Sequence, residues 1–186
     1  RVHPKCAVAG CQLVESDGKT IQPSVRQFPT LGSQAMIMLK LHHLWRTAPA
    51  LRKYFVDDFD YQREQSCDQV MGSFFLMSRQ AINQIGALDR RYFIWFEEVD
   101  WCRMAKNRGW EVWYTPCAKI MHLGGQSFAQ VFSYRRQRML NESMRKYFAK
   151  HHGFISWFIL TCLNPFSLAL AYIVGVLHLK RKKYSY

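Results

Sequence analysis

Three carboxylates fall within four residues at Glu97, Glu98 and Asp100, framed by Tyr92, Phe93, Trp95 and Phe96 before them and by Trp101 after Asp100. Like charges this close repel, and aromatic walls raise the proton affinity of a carboxylate. A folded protein therefore keeps such a cluster mainly where something cationic or reactive compensates it. A plainer alternative stands beside this one: acidic residues gather in the first turn of a helix because the helix dipole favours them there. His122 is the second candidate. It closes a short apolar run and is followed by Gly124 and Gly125, so its imidazole is placed either to approach a divalent cation or simply to hydrogen-bond a loop. His42, His43, His151 and His152 have no such context and read as surface residues. The six cysteines form no Cys-x-x-Cys pair and no zinc-finger spacing, which leaves reduced, mostly buried thiols in a protein facing the cytosol.

The elements that must position these groups alternate between strand and helix patterns, which argues an α/β fold. Cys6 to Val14 is an apolar run followed by Ser16-Asp17-Gly18-Lys19, the chemistry of a strand entering a hairpin or loop. Pro23 and Pro29 keep the next stretch extended, and the apolar spacing from Gln34 to Trp45 predicts a helix closed near Pro49. Val56 to Gln65 reads as a polar loop. Val70 to Met77 reads as a buried strand with Gly72 inside it, and Ser78 as the N-cap of a helix through Ile85 that stops at Gly86. A second helix is expected from Asp100 to Asn107, then a strand from Trp110 to Thr115, a stop at Pro116 and a short strand from Ala118 to Met121. Ser133 to His151 is a basic helix. Ile155 to Leu179 is an uncharged apolar run long enough to cross a bilayer, which takes about 20 residues. Asn164-Pro165 interrupts that run. Basic clusters flank it on both sides, so a re-entrant hairpin bent at Pro165 is slightly preferred to a kinked single span.

With 186 residues, 49% of them hydrophobic, the chain can bury one sizeable α/β core. Its net charge is +13, and residues 135–186 hold ten Lys/Arg against Glu142 alone. A tail both basic and apolar points to an anionic membrane surface. Stacking platforms, Gly-rich RNA motifs and metal fingers are missing, so no nucleic-acid partner is expected. The chain opens on Arg1 with no signal segment, which reads as a fragment or a processed chain.

Five segments in order carry a resemblance: Gly72 to Arg79, Ile85 to Asp89, Tyr92 to Arg103, Gly109 to Pro116, and His122 to Ser127. Together they resemble family 2 glycosyltransferases of the rhamnosyltransferase type, over about residues 67 to 128. The opening from His3-Pro4 through Asp17-Gly18 and Gln22-Pro23-Ser24 is similar to the family stretch that follows the nucleotide-binding half. The resemblance implies the acceptor half of a GT-A fold over residues 1–134, a basic helix over 135–153, and a membrane-associated segment with a basic end over 154–186. It implies inverting transfer of a sugar, rhamnose among the candidates, from a nucleotide-sugar donor to a hydroxyl of a lipid-linked or polysaccharide acceptor. That chemistry would belong to cell-surface glycan synthesis at the cytoplasmic face of the cell membrane. Glu98 corresponds to the general base, although the commonest pattern has Asp there, so Glu97 and Asp100 stay open as rivals. His122 corresponds to a histidine that helps hold Mg²⁺ or Mn²⁺ on the donor diphosphate. Gly72, Ser73 and Trp95 would line the acceptor, with simple sheet packing an equal reading of Gly72 and Ser73. Arg135, Arg136 and Arg138 would reach a diphosphate or, equally, form a solvated or lipid-facing helix side. Asp58-Phe59-Asp60 has the letters of the family's Asp-x-Asp metal motif but lies in the wrong place and reads as a solvated loop. The donor half would then lie outside this chain, leaving it inactive alone. A non-catalytic, membrane-bound remnant that binds glycan or a partner protein is the competing reading.

Overall fold

The computed structural model describes residues 3–124 and 131–183. Residues 125–127 of the last resemblance segment lie outside them. The chain divides into two compact units: residues through Phe28 with Arg52–Arg90 and Glu97–Gly124, and Pro29–Leu51 with Arg91–Phe96 and the helical remainder.

The first unit is built on a five-stranded mixed sheet. Strand β1 (Cys6–Val14) is buried along nearly its whole length and is paired on both edges. On one edge lies β7 (Glu111–Met121), parallel to it; on the other, β6 (Leu76–Met77) and β2 (Ile21–Gln22) run antiparallel. Successive residues point to opposite faces and nearly all of them are buried, so both faces of β1 are covered, which is why its sequence is apolar without alternation. Asp17 makes the expected hairpin, its Oδ1 accepting the N–H groups of Lys19 and Thr20 at 2.8 Å each, with Gly18 at φ 67°. Strand β4 (Gln65–Cys67) extends the sheet beyond β7, and β3 (Val25–Arg26) pairs with β5 (Gln69–Val70) in a separate ladder. Gly10 is needed where β1 crosses Val70: a Cβ there would lie 2.6 Å from Val70 Cγ1.

Several expected elements fold differently. The strand predicted over Val70–Met77 is two short strands, β5 and β6, with a turn across Gly72 and Ser73 between them. The two strands expected on either side of Pro116 are one, β7; its pairing with β1 steps from Cys11↔Thr115 to Gln12↔Lys119, so residues 116–118 bulge out. Proline has no N–H to give the ladder, and the bulge absorbs it without ending the strand. The helix expected from Asp100 begins earlier, as α4 (Glu97–Asn107), after Trp95 and Phe96 both adopt positive φ, 59° and 68°. Helix α3 (Arg79–Ile85) has the Ser78 N-cap and the Gly86 C-cap that its sequence signals. Asp57, Asp58 and Asp60 are exposed in the loop before β4.

In the second unit, α1 (Leu31–Met38) starts ahead of the expected Gln34 because Thr30 and Ser33 form a reciprocal capping box. It stops early because Lys40 turns left-handed at φ 61°, leading into a 3₁₀ turn over Leu41–His43. Helix α2 (Pro49–Phe55) follows, the chain returning to the first unit within it. The basic helix is α5 (Ser133–His151). The apolar run is α6 (Gly153–Lys183), continuous through Pro165 and not a hairpin. A polar seam explains the continuity: Asn141 on α5 donates to Asn164 Oδ1 at 3.0 Å and to Ser167 Oγ at 3.1 Å, clamping the turns on either side of Pro165. The buried stripe of α6 runs Leu160, Ser167, Ala171, Gly175, and its other faces leave Ile155, Phe158, Phe166 and Ile173 exposed. Residues Gly153–Leu177 are long and apolar enough to cross a membrane by length and composition. His42 and His152 are not the surface residues their sequence suggested: His152 stacks on Phe148 with ring centres 4.4 Å apart, and His42 is half-buried.

Candidate functional site

Helix α4 buries Trp101, Cys102 and Ala105 in the core of the first unit, against Ala7, Val8, Val70 and Val112. Glu98 lies four residues before Cys102 and seven before Ala105, so helical periodicity carries it onto the same core-facing stripe. Glu98 as a whole is half-buried there, with its carboxylate end largely withdrawn from water. Burial raises its proton affinity first, the neighbouring Glu97 adds repulsion, and backbone N–H groups of Glu98 and Val99 offset part of this, leaving a pKa of about 7. Its Oε2 has no exposed surface and no hydrogen-bond partner, and Glu97 Oε2 shares that state. An unsatisfied buried acceptor costs about 1–3 kcal/mol, and here two such oxygens fall within one turn of α4.

The turn that broke the expected strand is what faces this carboxylate. A Cβ placed on Gly72 would lie 3.8 Å from Glu98 Cβ and Cγ and 3.9 Å from Cδ, while Gly72 and Ser73 are themselves exposed. The glycine therefore opens backbone directly beside the acid. Asp100 has no exposed surface and has further interactions within the protein; it is out of reach of an incoming hydroxyl. Of the three carboxylates, Glu98 and Glu97 present partnerless oxygens and Asp100 sits in the core.

His122 stands where β7 ends. Gln22 pairs with Leu13 on one edge of β1, while His122 follows Met121, the partner of Val14 on the other edge, and the Gln22 side chain reaches to His122 past the end of β1. Gln22 Nε2 donates to the His122 carbonyl at 3.1 Å, which fixes the amide orientation, because a carbonyl can only accept. Gln22 Oε1 then faces His122 Nδ1 at 2.8 Å and can only accept, so Nδ1 is the donor of this contact and Nε2 is the ring nitrogen left for another partner. Sequence reading missed Gln22 as part of the site. The two residues are 100 apart, and only the register of two separate strand pairings on β1 joins them. Among the described residues no three His, Cys, Asp or Glu side chains gather as a metal cage. A divalent ion would find one ligand here, His122 Nε2, and Mg²⁺ or Mn²⁺ requires several more oxygens.

Trp95, Arg135 and Arg136 belong to the second unit. Trp95 is half-buried with left-handed backbone, and Arg135 and Arg136 are exposed on α5.

Residues 4–144 match the family described as glycosyltransferase like family 2. Two N-acetylglucosaminyl-diphospho-decaprenol L-rhamnosyltransferases, from Mycobacterium tuberculosis strains CDC 1551 / Oshkosh and ATCC 25618 / H37Rv, are each 30% identical over 119 residues, 64% of this chain and 38% of theirs. The chain thus spans about two fifths of the length of these curated relatives. No solved structure matches it. The mixed sheet flanked by α3 and α4 is consistent with a partial GT-A fold. Family match, relatives and fold agree: the chain belongs to the glycosyltransferase-like family 2, and within it resembles the rhamnosyltransferases.

Proposed function

We propose that the complete protein transfers a sugar, with inversion, from a nucleotide-sugar donor to a hydroxyl of a lipid-linked acceptor, and that Glu98 is the general base. The sugar suggested by the relatives' name is L-rhamnose, and the acceptor a diphospholipid-linked amino sugar. The observation that carries the reading is the partnerless Glu98 Oε2, with its pKa of about 7, beside the open backbone at Gly72. A base is most effective when its pKa is near working pH. In the step itself Glu98 takes the proton of the acceptor hydroxyl as that oxygen bonds to the anomeric carbon. The bond from that carbon to the diphosphate oxygen breaks, and its electron pair leaves with the nucleotide diphosphate.

Gly72 and Ser73 line the acceptor beside the base; on the second unit, Trp95 offers an aromatic face to a sugar ring. Glu97 keeps the proton affinity of Glu98 high. His122 would offer Nε2 to a divalent cation, held in that tautomer by Gln22, and such a cation, when bound, offsets charge on a diphosphate. On the second unit, the exposed Arg135 and Arg136 of α5 offer guanidinium groups to a phosphate. Helix α6 and the basic residues around it would hold the protein at the cytoplasmic face of an anionic membrane, where lipid-carried acceptors and sugar nucleotides meet.

Glu98→Gln in the complete protein is expected to reduce transfer at least a hundredfold, the scale of general-base catalysis, while leaving donor affinity nearly unchanged. Turnover above about a tenth of normal would move the base to Glu97. His122→Ala is expected to raise the metal concentration needed for half-maximal transfer; an unchanged metal titration would exclude ligation.

A further inference from the structure

By length, α6 could cross a bilayer: from Ile155 to Leu177 it runs about 33 Å at 1.5 Å per residue, and a hydrocarbon core is about 30 Å thick. What would have to enter the membrane with it argues against crossing. Helix α5 lies antiparallel beside α6 over that whole length. The two join at the turn between His152 and Gly153, and midway Asn141 donates to Asn164 and Ser167. At the far end Phe132 stands 6.0 Å from Tyr172 between ring centres and occupies the space of a Gly175 side chain, whose Cβ would lie 2.5 Å from Phe132 Cε2. A crossing α6 would therefore draw Arg135, Arg136, Arg138, Glu142, Arg145 and Lys146 of α5 to membrane depth. Charges are tolerated there when they face a bundle interior or a water-filled cavity, whereas Arg135, Arg136, Arg138 and Glu142 are exposed. The non-helical stretch 91–96 would follow, because Ser143 Oγ donates to the Ile94 carbonyl and Lys146 Nζ to the Arg91 carbonyl, each at 2.7 Å. Irregular backbone facing lipid does not persist in hydrocarbon.

The face of α6 opposite its buried stripe carries Ile155, Phe158, Phe166, Leu170, Ile173 and Leu177, all exposed and all on one side of a 3.6-residue helix. No charged residue falls between Gly153 and Leu177. So long an apolar strip marks a contact surface. A second copy of this chain is poorly suited to cover it, because the second unit holds thirteen Lys/Arg against Glu142 alone, a net +12, and two such bodies repel. One leaflet of an anionic membrane meets both demands, with acyl chains for the strip and negative headgroups for the cations. Helix α6 has no polar outer face of its own; its pairing with α5 supplies one.

We propose that α6 lies in the plane of the membrane and does not cross it, its outer strip sunk among the acyl chains of one anionic leaflet while α5 stays with headgroups and water. This placement rests on the reading that α6 is the part of the protein that meets lipid, and is independent of the role of Glu98.

Full chain would be reconstituted from detergent into vesicles of phosphatidylglycerol and phosphatidylcholine, carrying a nitroxide at one cysteine, with Cys117→Ser throughout. The native Cys162 is exposed and marks the middle of the strip without any change to α6. Ile155→Cys and Ile173→Cys, each with Cys162→Ser, mark its ends. Relaxation by oxygen and by a water-soluble nickel chelate reports depth. All three labels should lie at one depth, about 5–10 Å below the headgroup boundary, and a label at Arg138→Cys should stay open to the chelate. Labels at residues 155 and 173 about 27 Å apart in depth, with Cys162 near the bilayer centre, would overturn the in-plane placement and leave α6 as a crossing anchor. Strip labels as open to the chelate as the one at Arg138→Cys would overturn the placement together with the membrane role on which it rests.

Discussion

Glu98 pits two requirements against each other on one side chain. Packing on the core-facing stripe of α4 excludes water, and the same exclusion makes ionisation costly. Its folded-state pKa of about 7 lies above the ordinary 4.5. Between those values the folded protein binds more protons than the unfolded chain, so stability falls as pH rises through that window and stays reduced above it. The loss is about 3 kcal/mol if the full shift is expressed. Glu98→Gln, which cannot ionise, should therefore raise the melting temperature at pH 8 while leaving it almost unchanged at pH 4.5. A purely structural carboxylate would show the opposite sign, losing stability at pH 8. Thermal unfolding of both proteins at the two pH values decides this.

At the scale of elements, what could be read in the sequence was what is set locally. The Asp17-Gly18 hairpin, the Ser78 and Gly86 caps of α3 and the basic helix α5 follow from residues within a few positions of one another. What could not be read depends on partners distant in the chain. Gly72 breaks its strand beside Glu98, Pro116 is absorbed because β1 supplies a ladder past the bulge, and α6 runs through Pro165 because Asn141 braces it. The site divides the same way: the acidic cluster and His122 stand out by composition, whereas Gln22 becomes visible only when two strand registers are known. Gly10 tests the packing that sets those registers. Gly10→Ala should cost about 1–3 kcal/mol by driving its methyl into Val70, and Val70→Ala in the same chain should recover most of that loss. If unfolding experiments show the two costs simply adding, the close contact does not govern the register of β1.

At the scale of the whole molecule, charge is partitioned more sharply than the chain order suggests. Lys40, Arg46 and Arg91 come from the first half of the sequence yet join the helical unit, which leaves the sheet unit almost neutral. Chain released from detergent by dilution should associate with phosphatidylglycerol vesicles at least tenfold faster than with phosphatidylcholine vesicles at low ionic strength. The gap should close near 1 M salt, where the Debye length falls to about 3 Å. Equal initial rates at low salt would show that the helical charge does not steer. The partition also acts before any contact is made. A charge excess confined to one unit gives that unit, and not the nearly neutral sheet unit, the long-range attraction to a negative surface, felt within about a nanometre at physiological salt.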